Sequence, residues 1–228
     1  MIKQKVIFVL FFINYLTGLS AQNDVNQLDT DGKRHGLWTK NYEGTSIPRY
    51  SGRFMHGKEV DTFKYYKIKN NKPVLSALKV FNNDNNTAKV AFYASNGKVV
   101  SEGIMDGKHF IGKWMYYHNN SDALMIVEQY NDQGALDGER LVYYKNGNLA
   151  EKAQFKKGQL NGESLWYTEK GDTLRISNYV NDKLNGPSVY YEATGTLSAK
   201  GHYKDNLKTG IWLYYKNGIL EKEINHSN

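Results

Sequence analysis

The side chains that could carry chemistry are few, and their spacing does not favour it. Six histidines, His35, His56, His109, His118, His202 and His226, are scattered without the short ligand spacings that metal sites use. Most fall at turn positions, so they read as exposed polar residues and no metal ligands are assigned. Glu139 and Glu163 hold equivalent places 24 residues apart. Two carboxyls about 6.5–9.5 Å apart can share acid and base work at a glycosidic bond, yet nothing marks this pair above Asp182 or Asp205. No serine stands in a nucleophile-elbow context, and no Gly-rich phosphate loop precedes a helix. The expectation is a chain that is not an enzyme and takes no cofactor. What it has in abundance is rings: 18 Tyr, 9 Phe and 4 Trp. Planar amphipathic groups of this kind stack on peptide side chains or sugars.

The elements that position those rings come from a repeat. Gly138, Gly162, Gly186 and Gly210 recur every 24 residues. Three residues after each comes Leu141, Leu165, Val189 or Leu213, and five after comes Tyr143, Tyr167, Tyr191 or Tyr215. A period in this range signals a repeat array. Each unit has two β-rich halves separated by polar turns such as Lys145-Asn146-Gly147 and Asn181-Asp182, where Gly and Asn suit φ > 0. Extended backwards, the frame finds Gly112 ahead of Trp114, Tyr116 and Tyr117. Beyond that lies a degenerate unit around Ala88 with Phe92, Tyr93 and Gly97, then Asp61 in the glycine's place, then Gly36 ahead of Trp38. The prediction is all-β: an elongated, twisted antiparallel β-meander of tandem ~24-residue β-hairpins. About eight units fill residues 36–228, clearest from 138 onward, with a longer loop or insertion within residues 64–86.

Strand alternation separates two faces. Leu141, Leu165, Val189 and Leu213 barely vary, nor do Tyr143, Tyr167, Tyr191 and Tyr215. Phe155, Tyr179 and Tyr203 are assigned to the same face, with Ala153, Ser177 and Gly201 leaving room for a neighbouring ring. This is the expected packed face; Gly112, Gly138, Gly162, Gly186, Gly210 and the four tyrosines are its structural repeat positions. The other face varies: Arg140, Ser164, Ser188 and Trp212, then Val142, Trp166, Tyr190 and Tyr214. Trp38, Phe63, Tyr65, Trp114 and Tyr116 fall on it by the same count. Either it packs as well, or it presents a stripe of exposed aromatics as a binding surface. On the second reading the contact residues are Trp114, Tyr116, Trp166, Tyr190, Trp212 and Tyr214.

The N-terminus reads as a secretory leader: Lys3 and Lys5, an apolar run over residues 6–16, and small residues up to Ala21. Cleavage after Ala21 predicts a secreted or periplasmic chain, with residues 22–35 as a lead-in. There is no cysteine, so neither disulfides nor thiolate metal sites are expected to brace it. Removing Lys3 and Lys5 from the 30 basic residues leaves 28 against 23 acidic, a net of +5. The signs are interspersed, which argues for a solvated surface and against a nucleic-acid partner.

Gly-x-Trp-x-Tyr-Tyr, then Asn-Gly, Leu and Tyr-x-x-Gly, resembles the MORN (membrane occupation and recognition nexus) repeat in its bacterial variant, over roughly residues 36–223. Gly201-His202-Tyr203 with Gly210-Ile211-Trp212 is among the clearest copies, and His35-Gly36 and His56-Gly57 keep a pair common in the parent motif. The resemblance implies an elongated twisted sheet of hairpins and a non-catalytic module for protein or membrane-lipid contacts. Bacterial members are often labelled antitoxins. The leading expectation is a secreted or periplasmic protein-binding scaffold acting through its aromatic face. The alternatives are an antitoxin or immunity-type protein that neutralises a toxin, or an envelope glycan- or lipid-binding module.

Overall fold

The computed structural model describes residues 25–82 and 84–226; the predicted leader, residues 1–21, lies outside them. Every regular element described is a β-strand. A short β1 (Gln27–Leu28) precedes eight hairpins. They are β2 (Arg34–Asn41) with β3 (Pro48–Met55), β4 (Lys58–Lys69) with β5 (Lys72–Phe81), β6 (Thr87–Tyr93) with β7 (Val99–Asp106), and β8 (His109–Tyr117) with β9 (Leu124–Tyr130). Then follow β10 (Gly138–Tyr143) with β11 (Leu149–Lys156), β12 (Gln159–Tyr167) with β13 (Thr173–Val180), β14 (Lys183–Tyr191) with β15 (Leu197–Lys204), and β16 (Leu207–Lys216) with β17 (Ile219–Asn225). Each strand pairs antiparallel with its chain neighbours, giving one 17-stranded open meander. At about 4.8 Å per strand, β2 to β17 cover roughly 70 Å measured along the sheet. Among the described residues no second layer covers either face.

Two turn chemistries alternate. After the aromatics that end β10, β12 and β14 the loop has three residues: in the first, Gly147 N donates to Tyr144 O at 2.9 Å, Tyr144 N donates to Asn148 O at 2.8 Å, and Gly147 has φ +91°. That is a type I turn closed by a glycine in the left-handed region. Between the hairpins from β10 onward the turn has two residues, both at positive φ: Lys157 and Gly158 at +51° and +85°, Asn181 and Asp182 at +49° and +65°, Asp205 and Asn206 at +49° and +71°. Asn and Asp tolerate that region better than other L-residues. The expected insertion in residues 64–86 is a longer hairpin together with a longer connection, residues 82–86, between β5 and β6. β4 and β5 have 12 and 10 residues and close through Asn70-Asn71, both at positive φ.

A one-residue bulge follows each three-residue turn, and it decides which face is which. Tyr143 pairs with Leu149, but Val142 pairs with Glu151, leaving Ala150 extra. Leu174 and Ser198 are skipped in the same way in the next two hairpins. Without the bulge Leu141 would oppose Glu151 and share a face with Ala153 and Phe155, as plain alternation predicts. With it, Arg140 opposes Ala153 and Val142 opposes Glu151. A single-residue slip sends a whole side-chain set to the other side. The expected grouping is therefore corrected. Phe155, Tyr179, Tyr203 and the small residues pack with Ser164, Ser188, Trp212, Trp166 and Tyr190. Leu141, Leu165, Val189 and Leu213 point the opposite way and are only half-buried.

The core is a row along the first of these faces. Phe63 and Trp114 are 0 % exposed, Trp212 1 % and Phe54 2 %. Each buried indole satisfies its N–H on a neighbouring strand: Trp114 Nε1 donates to Ile104 O at 2.8 Å, Trp212 Nε1 to His202 O at 3.0 Å. Their rings lie over glycines of the preceding strand. A Cβ on Gly103 would stand 2.6 Å from the Trp114 ring, and one on Gly201 2.3 Å from the Trp212 ring. Of the small residues expected to make room for a ring, Gly201 does so, whereas Ala153 and Ser177 face Ser164 and Ser188.

The anchor glycines occupy a second irregularity, where residues 161–163 of β12 oppose Gln154 alone. Gly138, Gly162 and Gly186 adopt φ +115°, +120° and +112° there. A side chain at such a φ is strained, so these glycines are required by backbone geometry. Asp61 takes φ +58° in its repeat, a value an aspartate can adopt.

Candidate functional site

The six aromatics proposed for binding divide into two sets. Trp114 and Trp212 are sealed in the core, which corrects their assignment to an exposed stripe; the bulge turns their strand face inward onto Gly103 and Gly201. Tyr116, Trp166, Tyr190 and Tyr214 lie on the same face but stay half-buried. They belong to one cross-strand row, in which Trp166 faces Glu151 and Arg175, Tyr190 faces Arg175 and Ala199, and Tyr214 faces Ala199 and Lys222.

Polar groups hold these rings at their edges and tops. The Arg175 guanidinium sits 3.5 Å above the centroid of Trp166. The Tyr190 and Tyr203 hydroxyls are 3.2 Å apart. Lys208 Nζ donates to Tyr214 Oη at 2.9 Å while lying 4.4 Å over the Trp212 ring. Tyr130 Oη donates to Glu128 Oε2 at 2.6 Å. Burial raises the phenols of Tyr116, Tyr130, Tyr179 and Tyr203 above the ordinary value, and Glu128 adds to the effect at Tyr130. These hydroxyls are therefore neutral at physiological pH, able to donate and accept hydrogen bonds but not to act as bases.

Sequence reasoning missed the hub of this face. Arg140 Nε lies 3.2 Å from Glu128 Oε1 and its Nη1 3.1 Å from Glu151 Oε2, with the three side chains 24 %, 14 % and 23 % exposed. One guanidinium between two carboxylates makes a half-buried acidic-leaning cluster beside Trp166. Its partners come from flanking strands through the bulged register, so no local motif announces it.

The structural tyrosines Tyr143, Tyr167, Tyr191 and Tyr215 are half-buried at the bulges. The half-buried aliphatic row Met115, Val127, Leu141, Leu165, Ile176 and Val189 is on the face away from the core. Glu139 and Glu163 also fall there, on strands two apart and so separated by roughly 9.6 Å. Glu139 is occupied by Lys152 Nζ at 2.7 Å and by Gln154, and Glu163 is exposed. They converge on no cleft. A solvent-open cleft of about 920 Å³ lies elsewhere, between the β3–β4 turn and the β5–β6 connection, with mixed-sign walls that include Arg53, Lys58, Asp61 and Asp106. At its border the fold also brings His35 and His56 together with Asp29, a cluster that sequence spacing did not reveal.

Against known families, a model described as MORN repeat variant matches residues 136–157 and 184–205. The matched segments hold the β10–β11 and β14–β15 hairpins, including the anchors Gly138 and Gly186 and the turn glycines Gly147 and Gly195. Two repeats carry the match. No curated protein matches the chain. The open sheet of hairpins is the architecture that the resemblance implied.

Proposed function

We propose that this protein is an exported, non-catalytic binding scaffold that holds a protein partner against its aromatic face. The observation that carries the reading is the partial exposure of Tyr116, Trp166, Tyr190 and Tyr214 in a sheet that has no covering layer among the described residues, beside two sealed tryptophans. Half-exposed rings next to fixed arginine, glutamate and neutral phenol groups are the composition of an interface centre. The Arg140–Glu128–Glu151 cluster and Arg175 supply polar groups already locked in place, which lowers the ordering cost of association. Two repeats that match the MORN repeat variant are compatible with such a role.

The test is Trp166→Ala combined with Tyr190→Ala. Partner capture from an envelope fraction, with crosslinking from position 166, is expected to disappear while the thermal unfolding transition persists. If the double variant fails to fold, these rings are core and the aromatic face is not the contact surface. Fractionation of cells expressing the full chain tests export, with the cytosol as the outcome that removes that part.

A further inference from the structure

We propose that Asp29, His35 and His56 bind a divalent transition-metal ion of the zinc class, fastening the N-terminal turn to the first hairpin. One carboxylate oxygen and one nitrogen from each imidazole lie within 4.8 Å of one another, and the two rings are 5.0 Å apart. Zinc bonds of about 2.0–2.1 Å place tetrahedral ligand atoms roughly 3.3 Å from each other. Side-chain rotation of two exposed histidines covers that difference. Two imidazoles and a carboxylate favour zinc, copper or nickel over magnesium or calcium, which prefer all-oxygen sets. Three protein ligands leave a fourth position to water or to a partner's side chain.

Three separate segments supply the ligands, and backbone hydrogen bonds fix each of them. The Asp29 side chain is only 9 % exposed. Its Oδ1 accepts the N–H groups of Asp31 at 3.0 Å and Lys33 at 2.8 Å, leaving Oδ2 to meet His56 Nδ1 at 2.7 Å. His56 occupies a two-residue turn at φ +48°, and Gly57 N in the same turn donates to Arg34 O at 2.8 Å. That bond docks the β3–β4 turn against the start of β2, beside His35. The His35 carbonyl in turn accepts the Trp38 Nε1 proton at 3.1 Å. β1 has two residues, and so short an edge strand has little pairing of its own to hold it down. A metal bridging its turn to β2 and β3 would cap the array at this end.

The untagged chain should be titrated with Zn²⁺ by calorimetry and with Co²⁺ as an optical probe. The expected result is one ion per chain, visible Co²⁺ absorption of the tetrahedral type, and a higher melting temperature with Zn²⁺. His35→Gln, His56→Asn and Asp29→Asn should each weaken Zn²⁺ binding at least about tenfold, the lower bound for disturbing a metal's supporting groups. Asparagine at 56 tolerates the positive φ, and at 29 it keeps an oxygen for the turn. His202→Asn should change nothing. Absence of saturable one-to-one binding overturns the site, as does an affinity that none of the three variants moves. Metal-free unfolding of each variant guards the test, since a loss of affinity confined to variants that unfold also overturns it.

Discussion

Trp114 and Ser188 stand at the same place in their repeats, two residues after the anchor position, and both are sealed from solvent at 0 % and 1 % exposure. One is the largest side chain and the other among the smallest. In the tryptophan repeat the ring lies over Gly103 and stacks on Phe110 with centroids 3.8 Å apart. In the serine repeat, Ser188 opposes Ser177, and Leu184 takes the place of Phe110. Trp212 repeats the first arrangement with Gly201 beneath it and Lys208 above. Ser164 repeats the second with Ala153. A tryptophan at this place is matched by a glycine on the facing strand, and a serine by a serine or an alanine. In every case the pair spans two hairpins, one residue from each, so this complementarity is the interface term by which repeats stack.

Trp114→Ala should have the largest effect. Removing a sealed tryptophan should cost about 3–5 kcal/mol, read as a lower midpoint in urea unfolding. Gly103→Val attacks the same pair from beneath. Its Cβ meets the ring at 2.6 Å, and overpacking of this kind costs about 1–3 kcal/mol. Gly103→Ser with Trp114→Ser rebuilds the serine arrangement, so the double variant should be more stable than the sum of its single losses predicts. Additive losses would mean that the two residues do not share one volume. Gly162→Ala tests the anchors, because φ +120° is closed to alanine without about 1–3 kcal/mol of strain; an unchanged midpoint would remove the backbone explanation for the 24-residue beat.

Ser188→Ala should go the other way. The hydroxyls of Ser164, Ser177 and Ser188 are buried without a hydrogen-bond partner, and a buried unpaired polar group costs about 1–3 kcal/mol. Its removal is expected to leave stability unchanged or raise it by up to about 1 kcal/mol, while the same change at a satisfied serine would lower it. The subtlest contrast concerns pH. In the Trp114 repeat, burial and then the hydrogen bond to Glu102 push the Tyr117 phenol up to about 12. An unfolded tyrosine ionises near 10, so between these values the unfolded chain gives up the proton first. This contribution is therefore present below about pH 10 and lost as pH rises to about 12. Melting temperature should fall across that window, and Glu102→Gln should bring the tyrosinate absorbance change to lower pH without restoring the ordinary value.

The parts of the fold that were legible in the sequence are those set by local chemistry. Gly147 and Asn181-Asp182 mark their turns because few residues accept positive φ, and Gly201 foretold a ring because a missing side chain is a space. The two faces were not legible. Their assignment hangs on single skipped residues such as Ala150, Leu174 and Ser198, which differ in type and carry no bulge signature. Trp114 and Trp212 were consequently placed on an outward stripe. The Arg140 hub and the Asp29–His35–His56 cluster were hidden for a related reason: their members meet only through cross-strand register, and the pair His56 and Asp29 is separated by 27 residues.

By itself the sequence determined the period, the hairpins, the anchors and the antiparallel meander, because turns and repeats act over a few bonds. Only the tertiary structure decided which rings are sealed and which are offered to solvent. That choice belongs to strand register, where one extra residue reverses a face, and, among the described residues, to the absence of a second layer over either side of the sheet.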